Sequence, residues 1–277
     1  MNPVGKALWL IENHLSSELS LEQIATRCEL SRFSLTRAFG ATTGYSVMRY
    51  LRGRRLSEAA RALAAGAPDI LSVALEAGYG SHEAFTRAFR EQFGLTPESL
   101  RAQRHLDDIA LVEPFRMDRV QLIDLQPPRF ETSEPLLIVG LGERYTFETN
   151  EGIPTLWQRF VPYIGNIPGQ VGWRTYGVCC NSDGGGAFDY IAGVEVSSFD
   201  GIPEQFRRVK IPPRSYAVFT HQGHISTIRD SFHSILNQWL PQSGYRLADA
   251  PEFERYSEDF NPVAETGFVE IWLPVEA

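Results

Sequence analysis

Leu35-Thr36-Arg37-Ala38-Phe39 and Phe85-Thr86-Arg87-Ala88-Phe89 share four identical residues fifty positions apart, and Gly44 and Gly94 follow them at the same separation. The context repeats as well. Ile24-Ala25 precedes the first copy and Val73-Ala74 the second, and Ser31 and Ser81 stand where a cap would open the following helix. Upstream, Ser20-Leu21-Glu22-Gln23 reads as a capping box, with Ser20 as cap and Gln23 three residues inside. A short helix, a turn and a second helix with a small apolar core (Ala25, Leu30, Leu35, Ala38, Phe39) outline a helix-turn-helix. Residues 46–65 read as one long helix joining the copies, its apolar side marked by Val47, Tyr50, Leu51, Leu56, Ala59, Ala60 and Leu63. Thr96-Pro97-Glu98 closes the second unit as a cap with proline at the first helical position.

With positions 35, 38 and 39 (or 85, 88 and 89) turned inward, the outward face carries Arg32, Phe33, Thr36 and Arg37 in the first copy. In the second it carries His82, Glu83, Thr86, Arg87 and Arg90. Arginine pairs with guanine O6 and N7, phenylalanine touches a thymine methyl, and glutamate accepts from cytosine N4. Arg49, Arg52, Arg54 and Arg55 on the connecting helix suit phosphates or a solvated face. The competing reading is a small helical bundle with ordinary polar faces; duplication in a basic segment favours DNA. Overall the 277 residues carry a net charge of −8, which looks wrong for a nucleic-acid binder. Residues 1–106, however, hold 13 Lys/Arg and 10 Asp/Glu, while residues 107–277 hold 13 and 24. A mildly basic front half and an acidic back half imply two domains with different partners.

The pattern Ser-Leu-x-x-Ile-Ala…Leu-Ser-x-x-x-Leu-x-Arg-x-Phe…Gly, then Tyr50-Leu51…Arg55-Leu56, then Ala77-Gly78-Tyr79-Gly80-Ser81…Phe85-x-Arg-x-Phe…Gly94-x-Thr96-Pro97 resembles the DNA-binding domain of the AraC/XylS transcription regulators over about residues 4–104. The resemblance implies seven helices and two recognition helices in successive major grooves. It puts Arg32, Phe33, Ser34, Thr36 and Arg37, and His82, Glu83, Thr86 and Arg87, at base- or phosphate-contacting positions. Ser34, His82 and Glu83 are not the family's commonest choices, so no operator sequence carries over.

Composition shifts at Leu106-Asp107-Asp108, setting an all-α double helix-turn-helix domain at 1–106, a linker at 107–119 and an α+β domain at 120–277. Strand-like runs are expected at 120–126, 136–141, 174–180, 188–196, 215–221 and 267–273. Helices are expected around 153–164 and 225–240. Strands, helix, strands occur twice, and Val194-Glu195-Val196 echoes Val269-Glu270-Ile271, which reads as an internal duplication with helices on a mainly antiparallel sheet.

Alternation in the last strand puts Val269, Ile271 and Leu273 on one face and Phe268, Glu270 and Trp272 on the other. A carboxylate between two aromatics needs a partner if it is buried, whether a protein cation, water or a positively charged ligand held by cation–π contact. Glu254 and Tyr256 offer a similar lining, with Trp173, Tyr176, Tyr190 and Phe219 as further candidates; an exposed glutamate flanked by core aromatics is the plainer alternative. This half resembles the gyrase-inhibitor-like small-molecule-binding domain through Tyr176-Gly177-Val178, Phe188–Val194, Tyr216-Ala217-Val218-Phe219-x-His221, Phe253-Glu254-x-Tyr256 and Glu270-Ile271-Trp272-Leu273-Pro274-Val275. The resemblance implies two pseudo-symmetric halves around a cleft for lipophilic, often cationic effectors, with Glu270 matching the acidic position best and Glu254 second. With the AraC-type domain first, the order is similar to the Rob-type arrangement.

The expected function is therefore an effector-responsive transcription regulator with promoter operator DNA, a small molecule and RNA polymerase as partners, and no cofactor or metal. A hydrolase or a protein-interaction module at the back are the alternatives. Against an enzyme, no GxSxG or metal-ligand spacing appears, and Cys179 and Cys180 lack an evident partner. Three cysteines, no signal-like N-terminus and no apolar run near eighteen residues predict a soluble cytoplasmic protein without membrane contact.

Overall fold

The computed structural model describes residues 2–117, 122–183, 185–261, 263 and 267–277. Seven helices form the front half: α1 (Pro3–Asn13), α2 (Leu21–Arg27), α3 (Arg32–Thr43), α4 (Val47–Ala64), α5 (Ile70–Glu76), α6 (His82–Phe93) and α7 (Pro97–Gln103). Their ends follow from local chemistry. Ser20 and Gln23 complete the capping box, Ser31 and Ser81 cap the two repeated helices, and Gly44 and Gly94 end them in the left-handed region at φ +76°. One end of α4 gives Val47, Tyr50 and Leu51 to the core of the first unit, with Ile24, Leu35 and Phe39. The other end gives Leu56, Ala60 and Leu63 to the second, with Val73, Phe85 and Phe89.

Beyond α7 the chain runs without regular structure but stays on the DNA-binding unit. Ile109 and Val112 are buried against it, Arg54 donates to the Val112 carbonyl at 3.0 Å, and Val112 N donates to Ser57 Oγ at 2.9 Å. As far as residue 117, the segment expected as a linker is a packed strap; residues 118 and 119 lie outside the described residues.

The back half holds β1 (Arg129–Thr132), β2 (Leu136–Thr146), α8 (Ile153–Phe160), β3 (Gln170–Cys180), β4 (Ala187–Val196), β5 (Arg207–Ile211), β6 (Ser215–His221), α9 (Ile228–Ser234), a π-helical turn (Ile235–Trp239), α10 (Leu240–Ser243), β7 (Arg246–Leu247), β8 (Glu252–Tyr256) and β9 (Val269–Glu276). Every pairing is antiparallel, in the order β1-β6-β9-β8-β3-β4-β2-β5, with β7 beside β9. The duplication is explicit in this order. Outward from the central β3–β8 pair run β4, β2, β5 on one side and β9, β6, β1 on the other. Each half is thus strand, strand, helix, strand, strand, with its leading strand exchanged onto the other half. Ile211 of β5 and Tyr216 of β6 are close in the chain yet near opposite ends of the order, and they meet in one apolar cluster with Tyr176, Phe253 and Trp272. The sheet therefore curls around that cluster, and its other face carries the helices.

Two expected details change. The strand expected at 120–126 is absent over 122–126, which is irregular, and 120 and 121 lie outside the described residues; pairing begins at Arg129, after Pro127-Pro128, which have no N–H to give a ladder. β5 was not expected because Arg207-Arg208-Val209-Lys210-Ile211 reads as solvated charge.

The two halves are not separate bodies on a string. A single buried cluster joins Leu35, Ala38 and Phe39 of the first helix-turn-helix to Phe219, Ile271 and Leu273 of the sheet and Ile235, Leu236 and Leu240 of the second helical segment.

Candidate functional site

The repeated helices have different surroundings. On α6, His82, Glu83, Arg87 and Arg90 are exposed; His82 Nε2 lies 3.0 Å from Glu98 Oε1, and Thr86 is half-buried. On α3, Arg32 is exposed and Phe33 half-buried, but Ser34, Thr36 and Arg37 are buried, the last at 7 % exposure. Of the expected DNA-contacting residues, His82, Glu83 and Arg87 of α6 form an open face, whereas three of those on α3 are buried, Arg37 among them against Glu252, Phe147 and Phe188 of the back half.

Between α3 and the sheet lies a cavity of about 1000 Å³. Its floor is the central strand pair. Register sets Thr175, Gly177 and Cys179 of β3 opposite Tyr256, Glu254 and Glu252 of β8, and Phe188 and Tyr190 of β4 continue the same face. Trp157 of α8, Phe232 of α9 and Phe260 form apolar walls, and Trp173 stands at the mouth.

Glu254 is the centre of this floor. Its Oε2 accepts from the Tyr190 hydroxyl at 2.7 Å and the Tyr256 hydroxyl at 2.8 Å, and Trp157 Nε1 donates to the Tyr190 oxygen at 3.1 Å. Among the described residues no hydrogen bond reaches Oε1. Burial raises the Glu254 carboxyl above its usual value of 4.5, opposed by the two tyrosine hydrogen bonds and the charge of Arg37. Both tyrosines are raised well above 10, chiefly by burial and the neighbouring carboxylate, and so remain donors. The Trp157 and Tyr256 rings meet edge to face at 5.0 Å, and Tyr256 meets Phe260 at 4.8 Å.

Close beside it, Glu252 is ion-paired with Arg37, whose guanidinium lies over Phe188 at 5.4 Å and Phe147 at 5.7 Å. Gly177 makes the arrangement possible, since a Cβ there would lie 2.1 Å from the Tyr190 hydroxyl and 2.5 Å from Glu254 Oε2. Gly177→Ala is accordingly expected to destabilise the chain by roughly 1–3 kcal/mol through overpacking, read from a denaturant midpoint.

Glu270, the leading candidate from the sequence, lies elsewhere. The β8–β9 register pairs Arg255 with Glu270 and Glu254 with Ile271, so Glu270 points to the face opposite Glu254. There its carboxylate takes Arg129 at 2.6 Å, Arg255 at 2.7 Å and Trp272 Nε1 at 3.2 Å, and the nearby guanidinium groups hold its carboxyl below the usual range. A protein cation, not a ligand, is its partner. Trp272 stacks on Phe253 at 5.1 Å, Tyr176 donates to Glu195 at 3.0 Å, Phe219 packs on Trp239, and Phe268 is exposed away from the cavity. Trp173, Tyr190, Glu254 and Tyr256 are thus brought together, and Phe268, Glu270, Trp272, Tyr176 and Phe219 are not. Glu252, Trp157 and Phe188 were missed, although the Glu252-x-Glu254 alternation was a readable signal.

Residues 126–276 match the model of the GyrI-like small molecule binding domain, and residues 24–103 match a helix-turn-helix domain model. The chain is 27% identical over 262 residues to the transcriptional regulator Rob of Salmonella typhimurium, covering 91% of this chain and 89% of that one. It is 29% identical over 192 residues to the transcriptional regulator BrlR of Pseudomonas aeruginosa, covering 67% and 68%. Over 105 residues it is 36% identical to the multiple antibiotic resistance protein MarA of Escherichia coli, covering 38% of this chain and 83% of that one. The chain belongs to the GyrI-like small-molecule-binding family and, with its AraC-type double helix-turn-helix in front, is a DNA-binding transcription regulator built like Rob.

Proposed function

We propose that α3 and α6 read operator DNA and that the cavity over β3 and β8 binds a lipophilic cation as the effector. The observation that carries the second part is Glu254, a carboxylate held by two tyrosine hydroxyls at the base of an aromatic cavity with one oxygen unengaged. An apolar body satisfies the rings, and a positive charge compensates a carboxylate that burial otherwise disfavours. Action at a promoter makes RNA polymerase the macromolecular partner and the cytoplasm the place of action. No described helix is long and apolar enough to cross a membrane.

Binding fits the site better than turnover. Burial pushes the Cys179 thiol up to about 12, so it is protonated at neutral pH and a poor nucleophile. His221 is occupied by Ser231 at 2.8 Å and the His224 carbonyl at 3.1 Å.

Trp157 and Trp173 at the cavity provide an intrinsic fluorescence signal. Titration with tetraphenylphosphonium and with the neutral triphenylphosphine oxide is expected to show saturable binding of both and a preference for the cation of about tenfold or more. Equal affinities would remove the charge from the reading, and no saturation would remove the effector site. On the DNA side, Arg87→Ala is expected to cost about 1–3 kcal/mol at one operator position and relax preference there, measured by selection from randomised duplexes. An unchanged selected sequence would take Arg87 off the reading face.

A further inference from the structure

We propose that Arg37 serves two sites that cannot be filled together, the DNA major groove and the acidic floor of the effector cavity, so that a bound cation frees the first recognition helix for DNA. This inference rests on the reading of the cavity as a cation site and adds how the two halves communicate.

The internal repeat provides a control within the chain. Arg37 and Arg87 occupy the same place in the same pentapeptide, yet Arg87 is exposed and Arg37 is buried by the back half. The residues that follow diverge in the direction docking requires. Gly40 and Ala41 stand where the second copy has Arg90 and Glu91. A Cβ at Gly40 would lie 2.1 Å from the Phe147 ring, so a longer side chain is incompatible with this contact. α6, with charge at the matching positions, has no partner of this kind among the described residues. The sequence of α3 thus suits two surfaces, a DNA groove through Arg32, Phe33 and Arg37 and a protein face through Gly40 and Ala41.

The docked helix is held by polar contacts as well as apolar ones. Arg37 pairs with Glu252 and stacks over Phe147 and Phe188, His233 contacts the Ala41 carbonyl, and Asn237 Nδ2 donates to Thr42 Oγ1 at 2.9 Å. Arg37 and Ala41 themselves line the cavity. One polar atom at this contact is left without a partner: Asn237 Oδ1 is buried and accepts no hydrogen bond among the described residues. Burying such groups is unfavourable, which marks an interface able to open.

Arg37 and an effector cation compete for one cluster of carboxylates, Glu252 and Glu254. A lipophilic cation placed against Glu254 supplies the charge that Arg37 otherwise supplies, and two cations on this floor repel one another. Releasing Arg37 frees the side of α3 that it shares with Phe33 and Ala41, four residues to either side of it. Linkage makes the coupling reciprocal: DNA that captures Arg37 must tighten cation binding by the same factor.

The test uses the full chain and an operator duplex selected with it. Glu252→Gln removes the anchor of Arg37 from a residue outside the DNA-binding half, and is expected to raise operator affinity by about tenfold without effector. Tetraphenylphosphonium is expected to raise wild-type operator affinity by a similar factor, to have little further effect on Glu252→Gln, and to speed hydrogen exchange in residues 32–43 of the wild type. The exchange measurement needs no variant and stands if Glu252→Gln fails to fold. Tetraphenylphosphonium that saturates the cavity but changes neither operator affinity nor exchange in α3 overturns the coupling and leaves the effector site intact. Failure of the cation to bind defeats the cavity reading instead, and the occlusion of α3 is then decided by Glu252→Gln alone, an unchanged affinity overturning it.

Discussion

Glu254→Gln is expected to weaken tetraphenylphosphonium binding by one to two decades while sparing triphenylphosphine oxide, and Glu270→Gln is expected to spare both. The asymmetry follows from the two faces of β8 and β9. Glu254 lies on the cavity floor, whereas Glu270 is enclosed by Arg129 and Arg255 behind the sheet. A hydrogen bond or contact involving a charge contributes about 1.5–3 kcal/mol, and each 1.4 kcal/mol is tenfold in affinity. The ring contacts of Trp157 and Tyr256 survive the isosteric change, so a neutral ligand loses little. Equal losses for cation and neutral ligand on Glu254→Gln would show that the carboxylate shapes the cavity without acting as a charge.

The same carboxyl gives a pH dependence with a definite sign. Burial raises it above 4.5, so the folded chain holds a proton over a range in which the unfolded chain has already lost it. Its contribution to stability is therefore present at pH below that range and is lost as pH rises through the folded value. Cation binding runs the other way: affinity increases as pH rises through the same range, because only the ionised form attracts the ligand, and binding there releases protons. Calorimetric titrations in buffers of different ionisation enthalpy measure that release. A release equal to that of Glu254→Gln would assign the linked proton to another group.

The sequence made the front half legible because its signals are local. Capping at Ser20, Ser31 and Ser81 and the stops at Gly44 and Gly94 act within one or two turns, and the repeat supplied its own confirmation. In the back half, alternation along Phe253–Tyr256 and Phe268–Leu273 correctly set each carboxylate apart from its chain neighbours. It did not say which strand faces met. That depends on the pairing of Arg255 with Glu270 across β8 and β9, and no local pattern encodes a cross-strand register between segments separated by a long loop. The burial of Arg37 was hidden for a related reason. Leu35-Thr36-Arg37-Ala38-Phe39 differs from its second copy only at the first residue, and it is Gly40 and Ala41 against Arg90 and Glu91 that set the helix that docks apart from the one that does not.

Glu12→Ala is expected to destabilise the DNA-binding half by about 3 kcal/mol, far more than Glu113→Ala, although each removes one carboxylate from one arginine. Arg54 is 3% exposed in its side chain, and Glu12 meets it through both oxygens, at 3.0 and 3.1 Å from Nε and 3.0 Å from Nη2. The Tyr50 hydroxyl donates to the same Glu12 at 2.6 Å and accepts from Phe115 N at 2.9 Å, while Arg54 also donates to the Val112 carbonyl. One carboxylate therefore ties α1 to α4 and, through Tyr50 and Arg54, ties both to the strap of residues 109–117. Removing it leaves a buried guanidinium with Glu58 as its remaining acidic partner, and removing one partner of a buried pair typically costs about 3–5 kcal/mol. The Arg61–Glu113 pair lies at the surface, with 33% and 64% of the side chains exposed, and such pairs contribute about 0–1 kcal/mol. Hydrogen exchange resolved along the chain measures the two variants without requiring the halves to unfold together. Glu12→Ala should release protection in α1, α4 and residues 109–117 as one unit. Fragments ending at 106 or 117 provide the complementary test, since only the longer one retains Ile109 and Val112 in the core. Equal stability of the two fragments, or a Glu12→Ala effect no larger than that of Glu113→Ala, would return the strap to the status of a linker.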